Sequence, residues 1–306
     1  MSAVVIEGVT KSFGAHVAVR GLSLEVPAGS IYGFIGPNGS GKTTTLRMLM
    51  RILHPDRGRV CVLGEEALGA AHDRIGYLPE ERGLYKQMKV RDVLRFYAEL
   101  KGCRHSGPLI DSWLKRLGLA EWAGKKVEAL SKGMAQKVQF IATVVTHPEL
   151  VLLDEPFTGL DPVNAEVLRE AVLSLRRDGT TVIFSTHDMA VAEKMCDFVF
   201  MIYKGQKVLD GRLEAIQDAY GSDTVRVQLE GTAVTAEGLP GVVKVSDFGR
   251  WQELRLAPGV DPQELLGRLM ARGRVRHFEL ARPTLHDIFV RIARPGGEPE
   301  GGPDRA

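Results

Sequence analysis

One glycine-rich segment, GPNGSGKTT at residues 36–44, combines residue types that bind phosphate. It follows an apolar run and precedes a pattern with helical spacing, which is the setting of a phosphate-binding loop. Backbone N–H groups of such a loop converge on a β-phosphate, and the following helix N-terminus adds partial positive charge. Lys42 would reach the β- and γ-phosphates, and the Thr43 hydroxyl would bind Mg²⁺. The residues predicted to bind the nucleotide here are Gly36, Pro37, Asn38, Gly39, Ser40, Gly41, Lys42, Thr43 and Thr44.

The glycines of this loop are expected to allow the phosphates to approach the backbone closely. We expect a side chain at Gly36, Gly39 or Gly41 to occupy phosphate space. The alternative is an ordinary glycine turn, which the strand before the loop and the helix after it disfavour.

A second group of chemically active residues ends the apolar run LVLLDEP at residues 150–156. A buried strand would deliver Asp154 and Glu155 at its C-terminal end, where open α/β sheets bind their ligands. Asp154 is placed to hold Mg²⁺, directly or through water, and Glu155 to orient and polarise an attacking water. The alternative is that both acids only cap the next turn.

The elements that must position these residues follow from hydrophobic periodicity. Short apolar runs typical of strands buried on both faces, LVLLD at 150–154 and TVIFST at 181–186, occur among helical patterns such as KTTTLRMLMRIL at 42–53. This alternation predicts an α/β fold with a parallel sheet flanked by helices. Residues 1–35 are predicted to form short strands and residues 89–147 to be mostly helical. The segment FVFMIYKGQKVLDG predicts a hairpin that turns at Lys204-Gly205.

The character of the sequence changes after Gly221, and residues 222–294 are predicted to form a separate small α+β domain. It combines strands of alternating pattern with two helices. Asp261 is the expected N-cap of the first helix, with Pro262 at its first position, and Thr284 caps the second. The remaining residues, 295–306, are rich in glycine, proline and charge, and are expected to be disordered.

Composition excludes several classes of protein. Among 306 residues the net charge is +2, and no basic run is dense enough for a nucleic-acid binder, so no nucleic-acid partner is expected. Cys61, Cys103 and Cys196 fit neither a zinc site nor a disulfide framework, which favours a reducing cytoplasm. The N-terminus does not have the pattern of a signal peptide, and no apolar run reaches the ~20 residues that span a bilayer.

Three further motifs make the succession recognisable. After the phosphate loop come LSKGMAQ at 130–136, TGLD at 158–161 and STH at 185–187. Over about residues 3–218 this order and spacing resemble the ATP-binding subunits of ABC transporters. The resemblance implies a P-loop NTPase fold over residues 1–221, with an N-terminal antiparallel β subdomain and a helical subdomain at about 86–147. It also implies ATP hydrolysis with Mg²⁺, in a head-to-tail dimer with itself or a homologous subunit, driving a separate transmembrane permease.

The same resemblance assigns roles to individual residues. Ser131 and Gly133 would hold the γ-phosphate bound to the partner subunit, although Lys132 and Met134 depart from the usual signature. His187 would bind the γ-phosphate and hold the attacking water with Glu155. Two further roles are expected: Asp161 would touch the opposite phosphate loop, and Phe13 would stack on adenine unless it is a core residue of the sheet.

The adjacent acids of YLPEERGLY at 77–85 have two interpretations. Glu80 stands where the family normally carries a Gln that reaches Mg²⁺, so it would bind the metal and sense the γ-phosphate. Alternatively, Glu80 faces solvent and the loop only couples the nucleotide site mechanically to the permease. Together with LSKGMAQKVQF and PTLHDIF, this stretch resembles the sodium-efflux and antibiotic-export branch of the family. Export is therefore the expected direction, with the protein in the cytoplasm, held peripherally at the inner face of the cell membrane by the permease.

Two other functions remain to be weighed. A soluble ABC ATPase that remodels DNA or ribosomes is the alternative, but the sequence has one phosphate loop and no long coiled-coil insertion. A nucleotide sensor that no longer hydrolyses ATP is disfavoured by the intact set Lys42, Asp154, Glu155 and His187.

Overall fold

The computed structural model describes residues 1–66, 70–81, 83–221, 224–230 and 236–293. The chain divides into two compact units, Met1–Arg212 and a second that begins at Leu213. The expected boundary at 221/222 would instead leave the helix that follows Arg212 in the first domain, and that boundary stays a prediction. The tail expected at 295–306 lies outside the described residues.

Two sheets form within the described part of the first unit. Their strands are β1 Ser2–Phe13, β2 His16–Pro27, β3 Ile31–Ile35, β4 Arg57–Val62, β5 Ile75–Leu78, β6 Leu150–Asp154, β7 Thr181–Thr186, β8 Phe198–Tyr203 and β9 Gln206–Arg212. The first sheet is antiparallel, in the order β2-β1-β4. The second has the order β5-β6-β7-β3-β8-β9, in which only the β8–β9 pair is antiparallel. The predicted α/β fold with an N-terminal antiparallel subdomain is confirmed.

The N-terminal strands are longer than the sequence suggested. β1 and β2 each span 12 residues, because local register shifts let the pairing continue past irregular positions. Gly8 lies between two of the shifted pairs with a φ of 58°, a left-handed conformation that glycine adopts without strain. The predicted hairpin at Lys204-Gly205 is confirmed, and both residues have positive φ, as a two-residue hairpin turn requires.

Helices connect these strands. They are α1 Lys42–Leu49, α2 Val90–Leu100, α3 Gly107–Arg116, α4 Lys132–Val144, α5 Pro162–Arg177 and α6 Met189–Met195. The helical region predicted at 89–147 therefore contains α2, α3 and α4, joined by loops and short 3₁₀ turns.

α1 is shorter than the helix predicted over residues 42–53 and ends at Leu49. Arg51 adopts a left-handed φ of 55°. Its N–H donates to Met48 O (3.1 Å) and the Ile52 N–H to Arg47 O (3.0 Å), which is the paired hydrogen bonding of a Schellman C-cap. Such caps usually carry glycine, so an arginine in this position gave no stop signal in the sequence.

The second unit contains α7 Leu213–Ala219, β10 Thr224–Leu229, β11 Val242–Asp247, β12 Gln252–Leu256, α8 Pro262–Arg272, β13 Val275–Ala281 and α9 Leu285–Ala293. Its described strands form an antiparallel sheet in the order β11-β12-β10-β13, and α8 packs on one face. Asp261 accepts the Gln263 N–H (2.8 Å), which confirms the predicted N-cap. Thr284 and Asp287 exchange N–H bonds with each other's side chains, a capping box that confirms the second.

The central sheet brings three chain segments to one edge. β6, β7 and β3 are adjacent, parallel and buried at every residue. Their C-terminal ends therefore place residues 36–41, Asp154 and His187 side by side, where ligands bind in open parallel sheets.

Candidate active site

The loop after β3 folds around the ammonium group of Lys42. Lys42 is the first residue of α1 and is nearly fully buried. Its Nζ donates to Gly36 O (2.7 Å) and Pro37 O (3.2 Å), both carbonyls of the preceding loop. The ammonium is thus held at the mouth of the helix by groups that a phosphate can replace. Ser40 Oγ, in the same loop, is buried without a hydrogen-bond partner among the described residues, and a phosphate oxygen would satisfy it.

The glycines of the loop differ from one another. A Cβ on Gly36 would lie 2.2 Å from Ile202 O, and one on Gly41 would lie 2.6 Å from Ala18 O. For these positions the expectation needs correcting, since the first obstacle to a side chain is the protein's own backbone and not phosphate. A Cβ on Gly39 would meet no described atom within 4 Å, which fits the expected open approach.

Asp154, at the end of β6, is completely buried and receives two hydroxyl donors. Its Oδ1 accepts from Thr43 Oγ1 (3.1 Å) and from Ser185 Oγ (2.5 Å). Its Oδ2 is buried, and no partner for it occurs in the described part of the chain. Carboxylate and hydroxyl oxygens are the ligands that Mg²⁺ takes when substrate phosphates complete its shell. The pair Thr43 and Asp154 therefore fits a magnesium ion.

Glu155 lies where three side chains meet. His187 Nδ1 is 3.0 Å from each of its carboxylate oxygens, and Lys42 Nζ is 3.5 Å from Oε1. Thr158 Oγ1 donates to Oε2 at 3.1 Å. The structure thus brings together Lys42, Glu155 and His187, although Lys42 is more than 100 residues from the other two in the sequence. These side-chain contacts disfavour the alternative in which Asp154 and Glu155 only cap a turn.

Glu155 also adopts an unusual backbone conformation. Its φ is 48°, in the left-handed region that few non-glycine residues occupy. Its N–H donates to Ser185 Oγ at 3.0 Å. Sequence reasoning did not single out Ser185 or Thr158. Ser185 is identified by the strand register, which pairs it with Asp154, and this register cannot be read from the sequence.

The LSKGM segment starts α4. Ser131 is the N-cap, and its Oγ accepts the Met134 N–H (3.3 Å). Gly133 is buried, and a Cβ there would lie 3.2 Å from Asn164 Nδ2. Ser131 and Lys132 are exposed, so the first turn of this helix is open to an approaching ligand.

Asp161 is the N-cap of α5, a structural role that the motif alone did not predict. Its Oδ1 accepts the N–H groups of Val163 (3.1 Å) and Asn164 (3.0 Å), so it caps α5. These bonds, with one from the Asn164 side chain, lower the pKa of Asp161 below its ordinary value. The signal was present, because Asp161 precedes a proline as Asp261 does, and the same rule applies to both.

Phe13 is the last residue of β1 and is 48% exposed. The alternative in which it is a core residue of the sheet is therefore wrong. The Lys11 ammonium lies 5.7 Å from the ring centroid and leaves the ring accessible.

Glu80 follows β5 and is exposed. Burial raises the pKa of the Tyr77 hydroxyl, and so does the charge of Asp154, while Arg47 lowers it and Glu80 adds a smaller upward shift. The loop is tethered to the helices: Gln139 Nε2 donates to Glu81 O (3.2 Å) and Tyr97 Oη to Gly83 O (3.1 Å). Arg82 lies outside the described residues.

A separate cleft of about 510 Å³ lies at the opposite ends of β6 and β7, where Arg74, Trp113 and Glu149 line it. It contains none of the residues above, so its size does not make it the reaction site. Within the described residues, no group of three or more His, Cys, Asp or Glu side chains could hold a metal ion alone.

Models of known protein families match this chain. The ABC transporter family model matches residues 19–158, and the model for the C-terminal domain of DrrA1-3-like ATP-binding proteins matches residues 211–293. Among curated proteins, the uncharacterized ABC transporter ATP-binding protein YhaQ of Bacillus subtilis is 41% identical, covering 93% of this chain and 96% of its own. The Nod factor export ATP-binding protein I of Burkholderia orbicola is 33% identical over 93% and 94% of the two chains.

Two further relatives extend the comparison. The daunorubicin resistance ATP-binding protein DrrA3 of Streptomyces coeruleorubidus is 32% identical, over 95% of this chain and 96% of its own. A solved structure of an ATP-binding subunit of an ABC transporter superimposes with a TM-score of 0.67, covering 88% of this chain and all of the other at 24% identity. At 24% identity the structural likeness shows the fold alone.

Proposed function

The chain belongs to the ATP-binding subunits of ABC transporters, which hydrolyse ATP, and we propose that it works as half of a head-to-tail dimer that drives a separate export permease. The observation that carries ATP hydrolysis in this proposal is the convergence of Lys42, Glu155 and His187, with Lys42 Nζ 3.5 Å and His187 Nδ1 3.0 Å from the Glu155 carboxylate.

Each residue of the site has a distinct role in the proposed reaction. Lys42 exchanges its two loop carbonyls for the β- and γ-phosphates, and charge-assisted hydrogen bonds compensate for the exchange. Glu155 orients and polarises the attacking water, and His187 holds the γ-phosphate and the water from the other side. Thr43 and Asp154 hold Mg²⁺, which supplies positive charge to the phosphates when bound.

Two more groups bind the nucleotide in this proposal. Phe13 offers its exposed ring to adenine, a contact worth about 1–3 kcal/mol for stacked bases in other proteins. Glu80 adds negative charge near Asp154 and favours the metal-bound state.

The dimer is proposed from groups whose expected partners belong to a second subunit. Ser131 is exposed at the start of α4, a helix of 13 residues whose N-terminus carries partial positive charge. Together with Gly133 it would face the γ-phosphate bound to the partner. Asp161 is exposed as well and would contact the partner's phosphate loop.

The permease is proposed from the loop after Glu80 and from the relatives. Among the described residues no helix is long and apolar enough to cross a membrane. Tyr85 is 53% exposed and packs edge-on against Phe96, with ring centroids 5.5 Å apart, at the surface between the loop and α2. A permease segment of apolar character would bury this surface and hold the protein at the inner face of the membrane. Export follows the names of relatives that cover nearly the whole chain.

The catalytic proposal is tested by Glu155→Gln. General-base catalysis contributes about 10²- to 10⁴-fold, so we expect steady-state hydrolysis to fall by at least 10²-fold. We also expect the variant to accumulate as an ATP-bound dimer in light-scattering chromatography. Glu170→Gln is a suitable control, because Glu170 is an exposed residue of α5 paired with Arg177. Turnover of Glu155→Gln at the wild-type rate would remove Glu155 from its role.

The transport proposal is tested separately, by purifying the tagged protein from detergent-solubilised membranes of its own cells. A polytopic membrane protein in stoichiometric complex is expected. Recovery with nucleic acid or ribosomes in its place would support the alternative, a soluble remodelling ATPase.

A further inference from the structure

Ser185 is a buried hydroxyl residue of β7 that contacts both acids of the site. It is completely buried and pairs with Asp154 across two parallel strands. Its Oγ donates to Asp154 Oδ1 at 2.5 Å and accepts the N–H of Glu155 at 3.0 Å. One hydroxyl therefore fixes the carboxylate of the first acid and the backbone of the second.

The first contact determines which oxygen of Asp154 is free. A buried carboxylate is unfavourable unless hydrogen bonds satisfy it. Both described donors, Ser185 and Thr43, act on Oδ1, while Oδ2 is buried with no partner in the described chain. Two donors on one oxygen restrict rotation of the carboxylate. They leave Oδ2 as the atom with lone pairs available for a cation.

The second contact supports the strained residue of the site. Glu155 has a φ of 48°, a conformation that a non-glycine residue keeps only when the surrounding structure holds it. β6 ends at Asp154, so the ladder no longer provides a partner for the Glu155 N–H. Ser185 Oγ accepts it instead, and the carboxylate of Glu155 remains beside Lys42 and His187.

We propose that Ser185 is a positioning residue for ATP hydrolysis, which presents Asp154 to the magnesium ion and Glu155 to the attacking water through a single hydroxyl. The proposal rests on the proposed magnesium site. It predicts that loss of the hydroxyl weakens the magnesium-dependent part of nucleotide binding and the chemical step. The contacts of Lys42 with the phosphates should remain.

The test compares Ser185→Ala with two other variants of the full-length protein. Ser185→Thr keeps the hydroxyl. Ser174→Ala is the matched control, because Ser174 is a buried serine whose Oγ donates to Ala171 O within α5, away from the site. Binding of a fluorescent ADP is measured by titration in EDTA and at increasing Mg²⁺, together with kcat, KM and the thermal unfolding midpoint.

For Ser185→Ala we expect ADP affinity in EDTA within about twofold of wild type. The Mg²⁺ concentration for half-maximal enhancement should rise about tenfold, and kcat should fall about 10- to 100-fold, as for loss of a hydrogen bond to a charged group. Ser185→Thr should recover the magnesium dependence, even if its extra methyl lowers the unfolding midpoint. Ser174→Ala should lower the midpoint alone.

Wild-type magnesium dependence and kcat in Ser185→Ala would overturn the proposal. So would an equal change in Ser174→Ala, since the effect would then be general destabilisation. If the wild-type protein itself bound ADP but did not hydrolyse ATP, the proposed catalysis would fail. The magnesium titration of binding would still decide the role of Ser185.

Discussion

Glu155→Gln should have opposite effects on the empty and the ATP-bound protein. In the structure Lys42 Nζ lies 3.5 Å from Glu155 Oε1, and the two side chains are only 6% and 7% exposed. The substitution keeps the shape of the side chain and removes its charge. The buried ammonium then loses its anionic partner until a phosphate arrives.

The magnitude follows from that burial. Removing one partner of a buried ion pair destabilises a protein by about 3–5 kcal/mol. Lys42 keeps its hydrogen bonds to Gly36 O and Pro37 O, so we expect a smaller loss, about 2 kcal/mol. At about 2–4 °C per kcal/mol for a unit of this size, the unfolding midpoint of the empty protein should fall by about 4–8 °C.

ATP should reverse this loss in the variant, because its phosphates replace the missing carboxylate as the partner of Lys42. In the variant these phosphates are also no longer repelled by the negative charge of Glu155. The assay is thermal unfolding in EDTA with and without saturating ATP, where hydrolysis does not interfere. The ATP-induced rise in midpoint should be several degrees larger in Glu155→Gln than in the wild type. Glu170→Gln, which breaks an exposed pair, should change neither value appreciably. An unchanged midpoint for empty Glu155→Gln, or an equal rise with ATP, would refute the reasoning.

Three other predictions use the same structure. Gly36→Ala should lower stability by about 1–3 kcal/mol through backbone overlap, and more than Gly39→Ala, whose Cβ meets open space; equal unfolding midpoints would contradict this. The pKa of Asp161 is lower in the folded than in the unfolded protein, so its stabilising effect is present above its unfolded pKa and is lost as pH falls through the folded value. The midpoint difference between wild type and Asp161→Ala should therefore shrink on acidification; a constant difference would exclude the charged cap. Glu80→Gln should raise the Mg²⁺ concentration needed for half-maximal hydrolysis, and an unchanged value would leave the loop as a mechanical connector.

The phosphate loop could be predicted from sequence because its determinants are local. The glycines, Lys42 and Thr43 are within a few residues of each other, and the strand and helix around them have clear periodicities. The end of α1 could not be predicted, although it is equally local. Arg51 occupies a left-handed position where glycine is usual, and its guanidinium donates to Val60 O (2.6 Å) on β4, a contact that the local sequence does not indicate.

The catalytic geometry depends on pairings that a sequence does not contain. Asp154 and Ser185 meet only because β6 and β7 are parallel neighbours in one particular register. A shift of one residue would turn Ser185 to the other face of the sheet. The motif order singled out the two acids, whereas the hydroxyl that contacts both of them became visible only with the register. The positive φ of Glu155 could not be predicted from the sequence either, because glutamate does not favour that conformation.

Asp161 shows how a helix cap and a contact between subunits would affect each other. Its carboxylate holds the first turn of α5 through the N–H groups of Val163 and Asn164. The side chain of Asn164 in turn lies 3.2 Å from the position that a Cβ of Gly133 would take, at the start of α4. A partner loop that binds the carboxylate of Asp161 would compete for it with the N–H groups of that first turn. A displacement of the turn would move Asn164, which lies near the segment of α4 proposed to bind the partner's phosphate. Because Asn164 bonds to Asp161 and lies near Gly133, the proposed cross-dimer sites would act on one another within a single subunit, without a long pathway between them.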